Sequence, residues 1–166
     1  MIRPFVVGVA SLARTGPRRE HRRGILEDLA VSGSGVAPGA EVDVDVLLEP
    51  VHGGVMVSGT VGARWAGECR RCLGRAEGPI RAEVRELYED SSDGQETYAL
   101  SGDQLDLEPL ARDAVLLELP QAPLCREGCP GLCPTCGADL NEGPCGCPPA
   151  DRDPRWAGLD PLRGPD

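Results

Sequence analysis

Lysine is absent from the sequence, and all 17 basic residues are arginines. That absence excludes a Walker-type phosphate loop, a Schiff-base mechanism and a kinase-type lysine. It also leaves the glycine-rich VSGSGVAPG as an ordinary loop. Aromatic residues are nearly missing: Phe5, Trp65, Tyr88, Tyr98 and Trp156 are the full set. The core must therefore be aliphatic and thin, and base stacking offers little for nucleic-acid recognition. Only two histidines occur, His21 and His52, neither beside a cysteine or serine cluster, so both read as surface residues and no acid-base catalytic group stands out. No apolar run approaches a membrane span, and MIRPFVVGVASLAR is too short and interrupted for a secretory signal. The expected location is cytoplasmic, with no membrane partner.

What is present fits one domain with an appendage. The chain has 166 residues and a formal net charge of −10. An acidic protein is no general nucleic-acid coat, because neutralising phosphate needs a basic surface. The charge is uneven, however. RTGPRREHRR carries Arg14, Arg18, Arg19, Arg22 and Arg23 against one glutamate, a local +4 that leaves −14 on the remainder. This basic arm is a candidate for touching RNA phosphates; the competing reading is a solvated flexible loop.

Strand patterns dominate the first half. VDVDV places Val42, Val44 and Val46 on one face and Asp43 and Asp45 on the other. After the turn PVHGG, VMVSGTVGARW puts Val55, Val57, Val61 and Trp65 on one face, and a hairpin whose second strand delivers the first cysteine pair is expected. A third strand is expected to begin after Gly78 and Pro79, with Ile80, Ala82 and Val84 alternating against charged residues. DSSDGQETYALSGDQ reads as an acidic surface loop. LDLEPLARDAVLLELP is a helix: Leu107, Leu110, Ala114 and Leu117 recur at helical spacing, with Ala111 and Val115 widening the stripe. Asp106 can cap it, Pro109 fits its first turn and Pro120 ends it. The expected fold is α+β, an antiparallel sheet or small partly open barrel packed by one main helix. Residues 1–119 form this body. Residues 120–166 form a cysteine-rich, zinc-ribbon-like module, with a short helix expected around Trp156, Leu159 and Leu162.

The module holds ten of the sixteen prolines and six of the eight cysteines, and it cannot build an apolar core of its own. In a reducing compartment these cysteines read as metal ligands rather than disulfides. Cys69 and Cys72 in CRRCLG and Cys133 and Cys136 in CPTCG are knuckles, in which two thiolates two residues apart chelate one ion. In CPTCG the following glycine lets backbone amides reach sulfur. Cys125 with Cys129, and Cys145 with Cys147, are looser pairs. Eight thiolates make two tetrahedral zinc sites, each with four cysteine ligands. One division joins Cys133, Cys136, Cys145 and Cys147 locally and lets Cys125 and Cys129 meet Cys69 and Cys72 across the fold. An interleaved division sets Cys69 and Cys72 with Cys133 and Cys136. Either would contribute about 10–16 kcal/mol per structural zinc, enough to hold the module folded. A zinc ligated only by sulfur has no open position, so metal catalysis is not expected.

GECRRCL after a strand, LDLEPLARDAVLLELP leading into PLCREGCPGLCPTCGADLN, and a closing DPRWAGLDPL together resemble the YceD family of large-ribosomal-RNA accumulation proteins. The resemblance runs from about Val42 to Leu162. It implies a cytosolic factor, with no known enzymatic activity, needed for synthesis, processing or stability of large-subunit ribosomal RNA. It carries metal ligation onto Cys69, Cys72, Cys133 and Cys136. The expected partners are that RNA or a precursor ribosomal particle, and basic ribosomal proteins; no small-molecule substrate is expected. A second function class is a thiol redox or metal-handling protein, which predicts labile zinc and accessible thiolates. A zinc-ribbon transcription factor ranks last, because the cysteine-rich segment up to residue 150 has Arg126 as its one base.

Overall fold

The computed structural model describes residues 3–90, 97–148, 155, 158 and 159. Its elements in chain order are β1 (Val6–Gly8), α1 (Leu12–Thr15), β2 (Arg18–Ile25), β3 (Ala30–Val31), β4 (Ser34–Val36), β5 (Glu41–Val51), β6 (Gly54–Glu68), β7 (Arg75–Glu89), β8 (Tyr98–Ala99), β9 (Gln104–Asp106) and α2 (Glu108–Glu118).

The alternation of VDVDV does what period two demands: Val42, Val44, Val46 and Leu48 are fully buried while Asp43 and Asp45 stay partly exposed on the opposite face. A tight turn through Gly53, at φ 82°, reverses the chain so that Val51 pairs with Gly54 and Val44 with Val61. β6 and β7 then run antiparallel over their whole length, from Gly54 opposite Glu89 to Glu68 opposite Arg75. The six residues joining them, 69–74, are CRRCLG, so the first knuckle is itself the turn of the long hairpin. On the far side of β5, β2 pairs antiparallel from Arg18 opposite Leu48 to Ile25 opposite Glu41. β4 pairs with β6 at Trp65–Gly67, beside the knuckle, and β3 pairs with β4. The sheet is open. β1 and β9 form a separate two-stranded antiparallel pair.

α2 covers the apolar face of the sheet and packs on β7. The N-cap position is Leu107 and makes no side-chain cap, but Asp106, one residue earlier, accepts the Glu108 N–H on Oδ1 at 2.9 Å and so leads the chain into the helix by a side-chain-closed turn. Leu110, Ala111, Ala114 and Val115 are buried. Leu117, expected in the stripe, is 85 % exposed. The buried set centres between Ala111 and Ala114, so at 3.6 residues per turn Leu117 falls beyond Leu110 at the stripe's edge. Phe5 and Tyr88 are the aromatics that reach the core, which is otherwise aliphatic.

Three further expectations change. VSGSGVAPG is not a plain loop but carries the β3–β4 hairpin, turned at Gly33 with φ 103°. β7 begins at Arg75 rather than after Pro79. Pro79 sits opposite Arg64 in a strand whose outer edge, among the described residues, is paired at Tyr88 and Glu89 alone, the edge setting in which strand prolines are found. Gly78 admits the Trp65 indole, since a Cβ there would sit 2.9 Å from Trp65 Nε1. The acidic loop is described from residue 97 and contributes β8 and β9; residues 91–96 lie outside the described residues. The helix expected around Trp156 likewise falls largely outside them. Among the described residues no helix is long and apolar enough to cross a membrane.

Candidate metal centres

The hairpin turn between β6 and β7 brings Cys69 and Cys72 to one end of the sheet, where the segment after α2 returns with Cys125 and Cys129. The four Sγ atoms lie within 4.8 Å of one another. Cys69 Sγ is 3.8 Å from Cys129 Sγ, and Cys72 Sγ is 3.7 Å from Cys125 Sγ. A tetrahedron with zinc–sulfur bonds of about 2.3 Å has edges of about 3.8 Å, whereas a disulfide would bring sulfurs to about 2.05 Å. The donor set and its spacing therefore fit a four-thiolate zinc site.

Local hydrogen bonds hold this turn. Cys69 N–H donates to Gly74 O at 2.7 Å, Leu73 N–H to Cys69 O at 2.9 Å, and Arg70 N–H to Pro123 O at 2.9 Å, so the last bond ties the turn to the returning segment. Arg71 Nη1 donates to Cys129 O at 2.8 Å. Leu73 takes the left-handed conformation, φ 61°, that glycine usually supplies. Cys69 and Cys129 are fully buried, with Trp65, Ala76, Leu124 and Leu132 around them. Cys125 is exposed.

The second cluster closes within one short stretch. Cys133, Cys136, Cys145 and Cys147 also place their sulfurs within 4.8 Å of one another. CPTCG folds as a knuckle: Thr135 N–H points at Cys133 Sγ at 3.4 Å, and Gly137, at φ 73°, donates to Cys133 O at 2.9 Å. Cys133 N–H bonds Ala138 O at 2.8 Å, and Leu132 pairs with Asp139. Cys133 is buried, Cys145 and Cys147 are half-buried and Cys136 is exposed. The structure thus separates Cys69 and Cys72 from Cys133 and Cys136, as the local-plus-distant division has it, and sets the interleaved one aside.

Both clusters are electrostatically graded. The Cys72 amide, opposed by burial and helped by the amides of Cys125 and Arg71, brings the Cys69 thiol down to about 6. The amides of Cys136 and Thr135 bring Cys133 to about 6. Neighbouring sulfurs act in the opposite direction on Cys125 and Cys147, while the Asn141 side chain lowers Cys129. Cys129 and burial push Cys125 up to about 12, and Cys136 and Cys145 do the same to Cys147. Each metal-free cluster therefore offers a ready thiolate on the first cysteine of its knuckle, and an ion must displace the protons that Cys125 and Cys147 hold.

The arginines of the basic stretch do not converge on one surface, and residues 18–25 are a strand rather than a free arm. On its outer face Arg19 Nε donates to Asp45 Oδ1 at 2.8 Å, and Arg23 Nη2 to Asp43 Oδ2 at 2.7 Å. His21 Nε2 lies 2.8 Å from Asp43 Oδ1. Desolvation pushes the Asp43 carboxyl up, but the bonds from Arg23 and His21 outweigh it and hold it below its ordinary value. On the inner face Arg18 and Arg22 bracket Glu20, each at 2.7 Å. Arg14 is exposed on α1.

Residues missed by spacing alone are Arg71 and Asn141, which touch Cys129, and Leu73. Asn141 Nδ2 lies 3.4 Å from Cys129 Sγ. A CxxC spacing marks ligands and says nothing about the donors arranged around them.

The described residues thus combine an open, largely antiparallel sheet with two four-cysteine clusters, each able to hold a metal ion. The family described as "Large ribosomal RNA subunit accumulation protein YceD" matches residues 57–163. An uncharacterized protein of Mycobacterium tuberculosis is 41% identical over 135 residues, covering 77% of this chain and 65% of that protein. One of Mycobacterium leprae is 37% identical over 139 residues, covering 77% and 62%. The chain thus spans about two thirds or less of the length of these relatives. "Large ribosomal RNA subunit accumulation protein YCED homolog 1, chloroplastic" of Arabidopsis thaliana is 35% identical over 60 residues, 36% of this chain and 19% of that protein. No solved structure matches the chain. The chain belongs to the YceD family, whose name ties it to accumulation of the large ribosomal RNA.

Proposed function

We propose that the protein is a non-enzymatic, cytoplasmic factor in ribosome biogenesis that supports large-subunit ribosomal RNA, and that each cysteine cluster holds one structural zinc ion. The family supports the first part. The sulfur spacing supports the second: two sets of four thiols, each within 4.8 Å of one another, match the four-cysteine pattern of structural zinc, which keeps no open coordination position. In this reading the first zinc fastens the post-helix segment to the hairpin, and the second folds the segment itself.

Recognition then rests on two surfaces. Arg19 and Arg23, on the exposed face of β2, are 75 % and 56 % exposed and exchange aspartate for RNA phosphate on binding. Basic ribosomal proteins meet the acidic side of the molecule. There Glu83, Glu86, Asp113 and Glu118 line a cleft between α2 and β7 with Leu117 at its margin. Opposite charge across an interface steers and registers such an encounter.

Sedimentation of the tagged protein through a gradient of lysate tests the reading. Co-migration with large-subunit precursor particles, lost at high salt, is expected. A protein that stays at the top of the gradient and yields its zinc readily to a mild chelator would instead favour a thiol or metal-handling role. The exposure of Cys136 in the second cluster is the observation on the side of that alternative.

A further inference from the structure

The segment that closes the second cluster also reaches the first. Asn141 lies between Cys136 and Cys145, yet its Nδ2 sits 3.4 Å from Cys129 Sγ and 2.7 Å from Asp139 Oδ1. Both neighbours are acceptors, one a sulfur and one a carboxylate oxygen, so the amide must present its NH2 group to them. The Asn141 backbone N–H donates to the same carboxylate at 2.8 Å, a side-chain-closed turn that fixes the residue in place. Asn141 Oδ1 is buried with no hydrogen-bond partner among the described residues. A buried carbonyl left unsatisfied costs free energy, so this placement serves what the NH2 does.

The chain between the clusters is equally tied. Leu140 N–H donates to Gly131 O at 2.9 Å and Leu132 N–H to Arg71 O at 3.2 Å, while Arg71 Nη1 reaches Cys129 O at 2.8 Å. Gly131, at φ 82°, lies so close that a Cβ would sit 3.0 Å from Arg71 O. The hairpin turn of the first cluster and the loop of the second therefore bear on one another through Arg71, Gly131 and Asn141.

Four thiolates around a divalent ion leave excess negative charge on sulfur, which donors aimed at sulfur relieve. At the first cluster the other such donors are backbone amides, among them Arg71, Cys72, Gly74 and Gly131. Asn141 supplies a side-chain donor from the other cluster's loop.

We infer that Asn141 is a positioning residue that couples the two centres: metal at Cys133, Cys136, Cys145 and Cys147 orders the loop, and the ordered loop delivers the Asn141 N–H to Cys129. The inference rests on the reading that both clusters hold zinc. By linkage the effect is reciprocal, so filling either centre tightens the other by the same factor.

The test uses the full chain, purified reduced and loaded with zinc, with bound metal counted first. Two ions per chain are required; a chain that binds none would overturn the zinc reading itself. Given two ions, zinc loss from the first centre to a competing chelator is compared in four forms: native, Cys145→Ser with Cys147→Ser, Asn141→Leu, and all three changes together. Coupling predicts that emptying the second centre and removing the donor each weaken the first by about 10–100-fold, the usual worth of an outer partner, and that the combination does no more than either alone. An affinity unchanged within about two-fold by Asn141→Leu, or losses that multiply in the combined form, would overturn the coupling while leaving the two zinc sites standing. Loading with cadmium-113 gives each centre its own NMR resonance. Asn141→Leu should move the resonance of the centre that survives in the Cys145→Ser, Cys147→Ser form, a signature that general loosening of the fold does not produce. Should that variant fail to fold, Asn141→Ala removes the donor without adding charge and is read in the same way.

Discussion

Leu73 and Gly137 occupy the same place in two copies of one turn. Each follows the second cysteine of a CxxC pair, each has a left-handed φ (61° and 73°), and each donates its N–H at 2.9 Å to the carbonyl of that pair's first cysteine. One position has glycine and the other a leucine whose side chain is 58 % exposed.

A left-handed residue with a Cβ costs about 1–2 kcal/mol, partly offset by the freedom glycine adds to the unfolded chain. Leu73→Gly should therefore raise stability by about 1 kcal/mol and Gly137→Leu should lower it by a similar amount. Urea unfolding at fixed zinc concentration measures both, and a destabilised Leu73→Gly variant would show that the exposed leucine is held by interactions outside the turn.

Metal removal should unmake one part of the molecule and spare the other. Residues 120–148 have little apolar burial beyond the cysteines, Leu124 and Leu132, whereas β5, β6 and β7 share the main core. Chelation should abolish amide exchange protection from 120 to 148 and in the 69–74 turn while the strands stay protected. Uniform loss of protection would mean that the sheet, too, depends on the metal.

The metal-free protein should titrate unevenly. Cys69 and Cys133, held near 6 against an ordinary thiol value of 9.0, favour the folded state most fully above the ordinary value. That contribution declines as pH falls from about 9 and is gone below about 6, because the depressed value belongs to the folded form. Thiolate absorbance followed from high to low pH should show the Cys69 and Cys133 thiolates persisting to near 6, with the signal at that pH reduced in Cys69→Ser. Zinc affinity should fall along the same direction, steepened by the protons that Cys125 and Cys147 retain.

Glu20 is the inward-facing charge of β2, 9 % exposed and shared between Arg18 and Arg22. Glu20→Ala leaves two cations against the interior and should cost about 2 kcal/mol, discounted for the partial exposure of both arginines. Glu20→Gln should cost less, since it keeps an acceptor. Thermal unfolding of the two variants checks the order.

Arg19→Ser with Arg23→Ser should weaken binding to precursor particles and flatten its log–log salt dependence by about two units, one for each phosphate no longer neutralised. A changed affinity with an unchanged slope would place the RNA-binding surface elsewhere.

Much of this was legible in advance where periodicity or ligand spacing is strict. Valine at every second position marked the buried face of β5, whereas the cysteine spacing offered the local-plus-distant division beside an interleaved one, and only the fold decides between them. Leu117 misled because a stripe edge and a stripe centre differ by one residue's rotation. The arginines misled for another reason. A run of like charge reads as a loose arm, but strand pairing set Arg19 and Arg23 beside Asp45 and Asp43, and those aspartates were visible only as the polar half of another strand. Asn141 had no pattern to betray it, since its role exists only once two loops meet.

The two clusters also differ in how far apart along the chain their members lie, and this sets an order of events. The second needs only Cys133 to Cys147, a stretch that can close on an ion as soon as it emerges from synthesis. The first joins Cys69 to Cys129, 60 residues apart, across the completed hairpin and α2. Closing so long a loop is slow and entropically costly until the intervening chain has folded. On the proposed zinc reading, metal at the first cluster therefore registers a correctly assembled sheet, and a chain whose sheet has not formed would carry one filled centre and one open one.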